Sequence, residues 1–490
     1  MNRSRAVRSS SCRSAARTLA PLLAAALAAL LSACAVGPEY RTITPHEALP
    51  DHFPHESAAA APVAQPDEWW RGFGDEGLDA LVAAALRNSP DLASAEANIR
   101  QARAGVDEVA GARALQLDAQ ARAGRDRFSR NSENFANIPF PNPKTSFDDY
   151  RAGLDASWEI DLFGHTTRAL QAASARAEGL EWQRTDLALR IAAETARNVL
   201  DYRHARLRLA NANRAVQAQR ELLELVRQQR DAGVAADSDV KQAEIALSNA
   251  VAVVAPLESA SRASAAALLP LTAWTESQVS AALGDADPAP TLPQARSFTL
   301  HSTVLQQRPD VRASERALAA ATADVGVAMA DRYPRFTLVG DAGWDSIRAG
   351  SLLSRASEFW NFGPQLYVPL LTGGRVSARI RSQEAARDAA LANYRKAVLA
   401  GLADIEAAML RCQGDDGRLA QADAAARLQR EQVELSALRV GAGDSPRLDL
   451  LAARIQLAAL VDQQLVSSQA LSDDLVLLHK ALGGSVPAAQ

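Results

Sequence analysis

The stretch YRAGLDASWEIDLFG, residues 150–164, sets Tyr150, Ala152, Leu154, Ala156, Trp158 and Ile160 against Arg151, Asp155, Ser157, Glu159 and Asp161. A period of two is that of a β-strand, whose successive side chains point to opposite faces. The stretch WNFGPQLYVPLLTGG, residues 360–374, lies 210 positions further on and follows the same plan. There Trp360, Phe362, Pro364, Leu366, Val368 and Leu370 face away from Asn361, Gln365 and Tyr367. Each run is preceded by another: Leu115, Leu117, Ala119, Ala121 and Ala123 before the first, and Phe336, Leu338, Gly340, Ala342 and Trp344 before the second. The chain thus carries four strands of about ten residues, the length a tilted strand needs to cross a bilayer.

The strands belong to an internal repeat. At the offset of 210, Gly153 superposes on Gly363, Gly164 on Gly374, Gly233 on Gly443, Asp239 on Asp449 and Ile245 on Ile455, without a gap. Upstream the offset becomes 219 and pairs Pro90-Asp91-Leu92 with Pro309-Asp310-Val311, and Glu96 with Glu315. The difference falls where residues 126–148, with Pro139, Pro141 and Pro143, face the shorter 345–358, so a loop tip is expected there in both copies. Each copy then reads as helix, strand pair, very long helix, turn and helix. Copy one spans 69–255 and copy two 301–490, joined by the Pro-containing segment 256–300.

Within each copy the first helix starts at Pro90 or Pro309, and in copy one the pattern runs to about Leu115. Residues 165–230 and 375–438 contain no proline and read as single helices of about 65 residues, on the order of 95 to 100 Å long. Leu189, Ala192, Ala196 and Val199, and later Ala212, Val216, Leu223 and Val226, mark packing seams on the first long helix with a blurred register between. From Leu451 through Ile455 and Ala458 to Leu478 the last helix comes close to a 3.5-residue repeat. With 105 Ala, 5% aromatics and 22% charged residues, packing relies on many close small contacts. Coiled coil alone fits the helices but not the strand pairs placed alike in both copies.

A hairpin in lipid leaves edge donors and acceptors without partners, and four strands cannot close a wide barrel. Three chains would supply twelve strands around a symmetry axis. The same alternation also fits a soluble sheet with one wet face. The long helices end at Gly233 and Gly443, and the pattern restarts at Asp237/Ser238 and Pro446, so these turns fall at the helix ends remote from the strands. A membrane barrel at one end and a helical tunnel at the other describe a conduit.

The N-terminus is an address. Arg3, Arg5, Arg8, Arg13 and Arg17 precede an apolar run from Leu19 to Leu31, too short for a permanent span. The run ends in Leu31-Ser32-Ala33-Cys34, which resembles the lipobox of bacterial lipoproteins. That resemblance implies a signal peptide at 1–33, lipid on Cys34, a lipidated lead-in at 34–68 and, with Ala35 rather than Asp next, sorting to the outer membrane. Removing five positive charges from a formal net charge of −4 leaves −9 on the mature chain. With no basic block elsewhere, nucleic acid is excluded as a partner. Cys412 is then the one remaining thiol and reads as a small packing residue. His52 and His55 lack supporting ligands, and the sequence holds no phosphate-cradling Gly loop, no Gly-x-Ser-x-Gly and no His-Glu-x-x-His, which argues against a metal site or an enzyme.

Further motifs carry a resemblance over the whole mature chain: Cys34-Ala-Val-Gly37-Pro38-Glu39-Tyr40; Trp69-Trp70-Arg-Gly-Phe73-Gly74-Asp75 with Leu78, Leu81 and Asn88-Ser-Pro90; Arg308-Pro309-Asp310-Val311 with Glu315; and Asp324-Val325-Gly326 through Tyr333-Pro334. In these the chain resembles the TolC-like outer-membrane factors of bacterial efflux and type I secretion, most closely their lipoprotein branch serving multidrug efflux pumps. The resemblance implies a mainly α protein with membrane β: a two-repeat α-helical barrel plus a twelve-stranded barrel shared by a homotrimer, with 256–300 in a belt around the waist. It implies a passive exit duct for drugs or other small molecules, with the helical domain in the periplasm. Its partners would be a periplasmic adaptor docking on the turns at Gly233 and Gly443, an inner-membrane efflux transporter and outer-membrane lipid. The lipid on Cys34 would be the only attached group. A type I protein-secretion channel is the alternative. Trp158 and Trp344 are expected at the lipid or belt, and Trp69 and Trp70 near the waist.

In the family an acidic residue six positions after each turn glycine lines the periplasmic constriction; here these are Asp239 and Asp449. Three copies of one carboxylate around a narrow opening repel one another and attract cations. A solvated helix-start Asp favoured by the helix dipole is the competing reading for both. A second acid found three residues further in some members is Ala452 here, and locking partners seen in some are replaced by Val440 and Ser445, leaving Arg439 and Arg447 as nearby candidates.

Overall fold

The computed structural model describes residues 35–42, 68–129, 131, 144–284, 289–293 and 304–484. Cys34, the signal segment, His52, His55 and the prolines of the first loop lie outside the described residues. After a 3-10 turn at Trp69–Phe73 come α1 (Glu76–Asn88), α2 (Pro90–Gly111), β1 (Gln116–Arg127), β2 (Ser146–Ile160), α3 (His165–Asp231), α4 (Asp237–Ala252), α5 (Val254–Thr272) and α6 (Glu276–Leu283). Beyond the single helical turn Val304–Gln307 the pattern repeats: α7 (Pro309–Ala330), β3 (Arg335–Ser346), β4 (Glu358–Tyr367), α8 (Arg375–Ala442) and α9 (Arg447–Ala481).

The expected long helices are single elements of 67 and 68 residues. Boundaries moved where a stronger local signal intervened. α2 stops at Gly111 rather than near Leu115, because glycine favours the coil over helix and the alternating run captures the residues that follow. β4 ends at Tyr367 rather than Leu370, since Pro369 cannot donate to a ladder. The joining segment 256–300 is partly helical. Pro256 sits in the first turn of α5, where its missing N–H is tolerated, and the break falls at Val253, between α4 and α5.

The chain divides into two compact units. The first holds the described residues among 1–42, 100–177 and 316–392, and the second those among 43–99, 178–315 and 393–490. In the first unit the four strands form one antiparallel sheet in the order β1-β2-β3-β4, so β1 and β4 each keep an open edge within the chain. Pro364 lies on that β4 edge, the place in a sheet where proline is tolerated.

The second unit is a helical core. Trp69, Trp70 and Phe73 pack with Leu78 and Leu81 of α1, Ala196 and Leu200 of α3, Leu268 of α5, Ile405 and Cys412 of α8, and Leu471 and Leu475 of α9. Each fully buried Leu contributes about 1.5–3 kcal/mol through water released from its surface. The expected seam on α3 is buried at Leu189, Ala192, Ala196 and Val199, and the one on α9 is buried at Leu451, Ala458, Leu471, Leu475 and Leu478 but only half-buried at Ile455, Val461 and Leu465. Asp75 caps α1, accepting from the backbone N–H groups of Gly77 and Leu78, and meets Arg203 at 2.8 Å with both side chains buried. The Trp69–Asp75 motif therefore anchors α1 to the core. Arg308 of the Arg308-Pro309-Asp310-Val311 motif donates to the Ala481 carbonyl and to the Asp310 and Asp404 carboxylates. The repeat-related Glu96 and Glu315 pair with Arg184 and Arg312.

Candidate functional site

The turns at Gly233 and Gly443 are built alike. Gly233 has φ +78° and Gly443 φ +82°, a left-handed conformation that glycine adopts without a Cβ penalty. Val234 N–H donates to the Gln229 carbonyl while Gly233 N–H donates to that of Arg230. Asp444 and Gly443 make the equivalent bonds to Arg439 and Val440, so both helices end in a Schellman motif. Neither glycine has another group within 4 Å of where a Cβ would stand, which leaves both turns open to approach. Leu223 and Val226 of α3, Val240 and Ala243 of α4 and Leu448 of α9 form one cluster that brings the first turn against the start of α9.

Asp239 and Asp449 are exposed in the first turns of α4 and α9. Asp239 Oδ2 accepts from Ala236 N–H at 2.9 Å, and Asp449 Oδ2 accepts from Ser445 Oγ at 2.6 Å. Each carboxylate is thus held by its own helix start, as a negative charge at a helix N-terminus favours. Arg447 reaches Glu221 at 3.6 Å rather than either aspartate. Around them Arg227 pairs with Glu244 and Arg230 with Asp231.

The sheet has two chemically distinct faces, because residues opposite one another across a ladder share a face. The unbroken registers group Leu117, Ala119, Ala121 and Ala123 with Tyr150, Ala152, Leu154, Ala156, Trp158 and Ile160. The same face continues through Phe336, Leu338, Gly340, Ala342 and Trp344 to Trp360, Phe362, Pro364 and Leu366. Among the described residues nothing covers it: Trp360 is 81% exposed, Phe362 67% and Leu117 61%. Gln116, Asp118, Gln120 and Arg122 share the opposite face with Arg151, Asp155, Ser157 and Glu159, then Thr337 and Asp341, then Asn361 and Gln365. There Arg151 bonds Asp341 at 3.1 Å and lies over the Phe359 ring, where Gly153 leaves room for the aromatic. A soluble sheet with one wet face would have its apolar face covered; this one does not among the described residues. Trp158 and Trp344 both lie on it, as expected, and Trp158 Nε1 donates to the Arg113 carbonyl.

Residues 35–40 dock on the first unit beside the helix-connected end of the sheet. Val36 N–H donates to the Phe163 carbonyl, and Ala35 touches Gly164, where any Cβ would fall 2.8 Å from it. Arg168 donates to the carbonyls of Val36 and Gly37, and Gly37 lies so close to Gly326 that a Cβ on it would come within 2.6 Å of the Gly326 Cα. Tyr40 packs on Ala175, Ala319 and Ala320. Two motifs read separately in the sequence, at Gly37 and Gly326, are therefore one contact. Arg168, which holds it, escaped the sequence reading. The available signal was a single arginine four residues after Gly164, at the Ala-rich start of a long helix.

The sequence profile described as Outer membrane efflux protein matches residues 81–273 and 300–484, more than half of the chain. The Pyoverdine export outer membrane protein OpmQ of Pseudomonas aeruginosa is 30% identical over 468 residues, covering 93% of this chain and 96% of that protein. Nodulation protein T of Rhizobium leguminosarum bv. viciae is 27% identical, covering 94% and 92%. The solved structure of the outer-membrane channel OprN superposes with a TM-score of 0.82 at 31% identity, covering 92% of this chain and 99% of that one.

Proposed function

The chain belongs to the outer membrane efflux protein family, and from that premise we propose that it is the outer-membrane exit duct of a tripartite efflux pump, conducting small molecules passively from periplasm to exterior. The family is one of channels rather than enzymes. The observation that carries the reading is the sheet: an apolar face that no described residue covers, a polar face behind it, and an open edge on β1 and on β4. In a bilayer those edges need partners. Three chains joining β4 of one to β1 of the next satisfy both edges and turn the polar faces into the wall of a water-filled lumen.

The finer points extend the same proposal. The lipid sits on Cys34, and the docking of Ala35 against Gly164, four residues beyond the end of β2, supports an anchor beside the sheet's helix-connected end. The open turns at Gly233 and Gly443 receive the periplasmic adaptor, which couples the duct to an inner-membrane transporter. Asp239 and Asp449 ring the periplasmic opening when three chains meet. Their caps do not oppose this, since each carboxylate remains solvent-exposed.

Single-channel recording in planar bilayers tests the duct and its gate together. Asp449→Ala is expected to give large, frequently open currents where the native protein is mostly closed; unchanged currents would remove the gate assignment. Metabolic labelling with radioactive palmitate tests the anchor: label should enter the native protein and vanish in Cys34→Ser, whereas label retained in the variant would overturn it.

A further inference from the structure

Charges at the loop end of the β1–β2 hairpin are sorted by face. The apolar positions of β1 end at Ala123, and the next two on the same face are Arg125 and Arg127. Across the ladder they oppose Asp148 and Ser146, and the face continues to Lys144, with the pairing extended by Phe128 N–H donating to the Thr145 carbonyl. Asp126 and Asp149 fall on the opposite face, where Arg122 pairs with both. On the outward face the acids are Asp148, 3.7 Å from the 75% exposed Arg125, and Glu358, opposite Trp344. Arg127 and Lys144 are exposed and have no acidic partner among the described residues.

Directly below these cations the same face carries Tyr150, Trp344 and Trp360. Aromatic side chains of this kind settle at the headgroup level of a bilayer, so a cation one step beyond them lies at the depth of lipid phosphates. Arginine suits that position because its planar fork can bind two phosphate oxygens at once. We propose that Arg125, Arg127 and Lys144 form a binding surface for the phosphate groups of an anionic glycolipid in the outer leaflet. This rests on the reading of the sheet as membrane-embedded with its loop end outermost. The bound lipid would cover the β1 side of the subunit junction, since β1 is an edge strand.

Purified full-length channel in detergent, titrated with bis-phosphorylated lipid A and scored for retained lipid by native mass spectrometry, tests the surface. Each cation at an anionic surface is worth roughly a fivefold change in affinity. Arg125→Gln/Arg127→Gln should therefore weaken lipid A binding by at least about tenfold. Arg125→Lys/Arg127→Lys should keep most of it, and Arg122→Gln, which removes one positive charge from the opposite face, should leave it unchanged. Dephosphorylated lipid A should bind the native protein at least as weakly as the double Gln variant, which keeps Lys144, binds lipid A, and inorganic phosphate should not displace the lipid. Equal binding by the double Gln variant, equal binding of the dephosphorylated lipid, or displacement by inorganic phosphate would each overturn the proposal. Parallel insertion into phosphatidylcholine bilayers separates the two readings. Conducting channels without phosphate preference sink the lipid surface alone, whereas a protein that conducts neither in its native form nor as Asp449→Ala sinks the membrane duct on which it rests.

Discussion

Gly233 and Gly443 show how far a single residue could be read in advance. A glycine ending a proline-free helical stretch of about 65 residues announces a left-handed cap, and the φ values of +78° and +82° supply it. Asp473 was invisible by the same means, because its character depends on neighbours from other elements. Burial pushes its carboxyl up to about 7, the charges of Asp201 and Asp474 add to this, and Arg197 at 3.7 Å opposes them only in part. One of its oxygens is buried without a hydrogen bond. Since the folded pKa lies above the unfolded one, the stability linked to this group is complete below about pH 4 and is lost as pH rises to about 7. Asp473→Asn should accordingly match the native protein near pH 4 and gain on the order of 4 kcal/mol by pH 7.5, read from thermal melts across that range. A gain that is the same at both pH values would show that the carboxyl is not the cause.

Among elements, the long helices and the alternating strands were legible because each is a periodicity that nothing local interrupts. The helix over Val254–Thr272 was not, since the prolines of segment 256–300 suggest breaks where the helix takes Pro256 in its first turn and carries Pro270 in its last. The Trp69–Asp75 motif was legible as a signature but not as a device. Its role appears once α3 brings Arg203 to Asp75. Burial pushes the Asp75 carboxyl up, but the hydrogen bond and charge of Arg203, aided by the Leu78 and Gly77 amides, prevail and hold it below the usual carboxylate range. That contribution is present above about pH 4 and is lost as acid protonates Asp75. Arg203→Met leaves a buried carboxylate without its partner, and breaking such a pair costs about 3–5 kcal/mol. Its midpoint of denaturation should fall clearly at pH 7, with a smaller difference at pH 3. A variant as stable as the native protein at pH 7 would mean that the pair is not what anchors α1.

At the scale of the whole molecule, the account turns on the sheet that one chain cannot finish. Alternation in the sequence identified both faces, and the registers place them without a bulge across all three ladders. What the sequence left open was whether a cover exists for the apolar face. The exposure of Trp360, Phe362 and Leu117 answers that within the described chain, and the two open edges explain why a single chain is not enough. Sedimentation equilibrium in density-matched detergent weighs the protein part of the complex directly. The account predicts a mass three times that of the mature chain, unchanged on dilution; a species of one chain, stable and uniform in the same detergent, would contradict it.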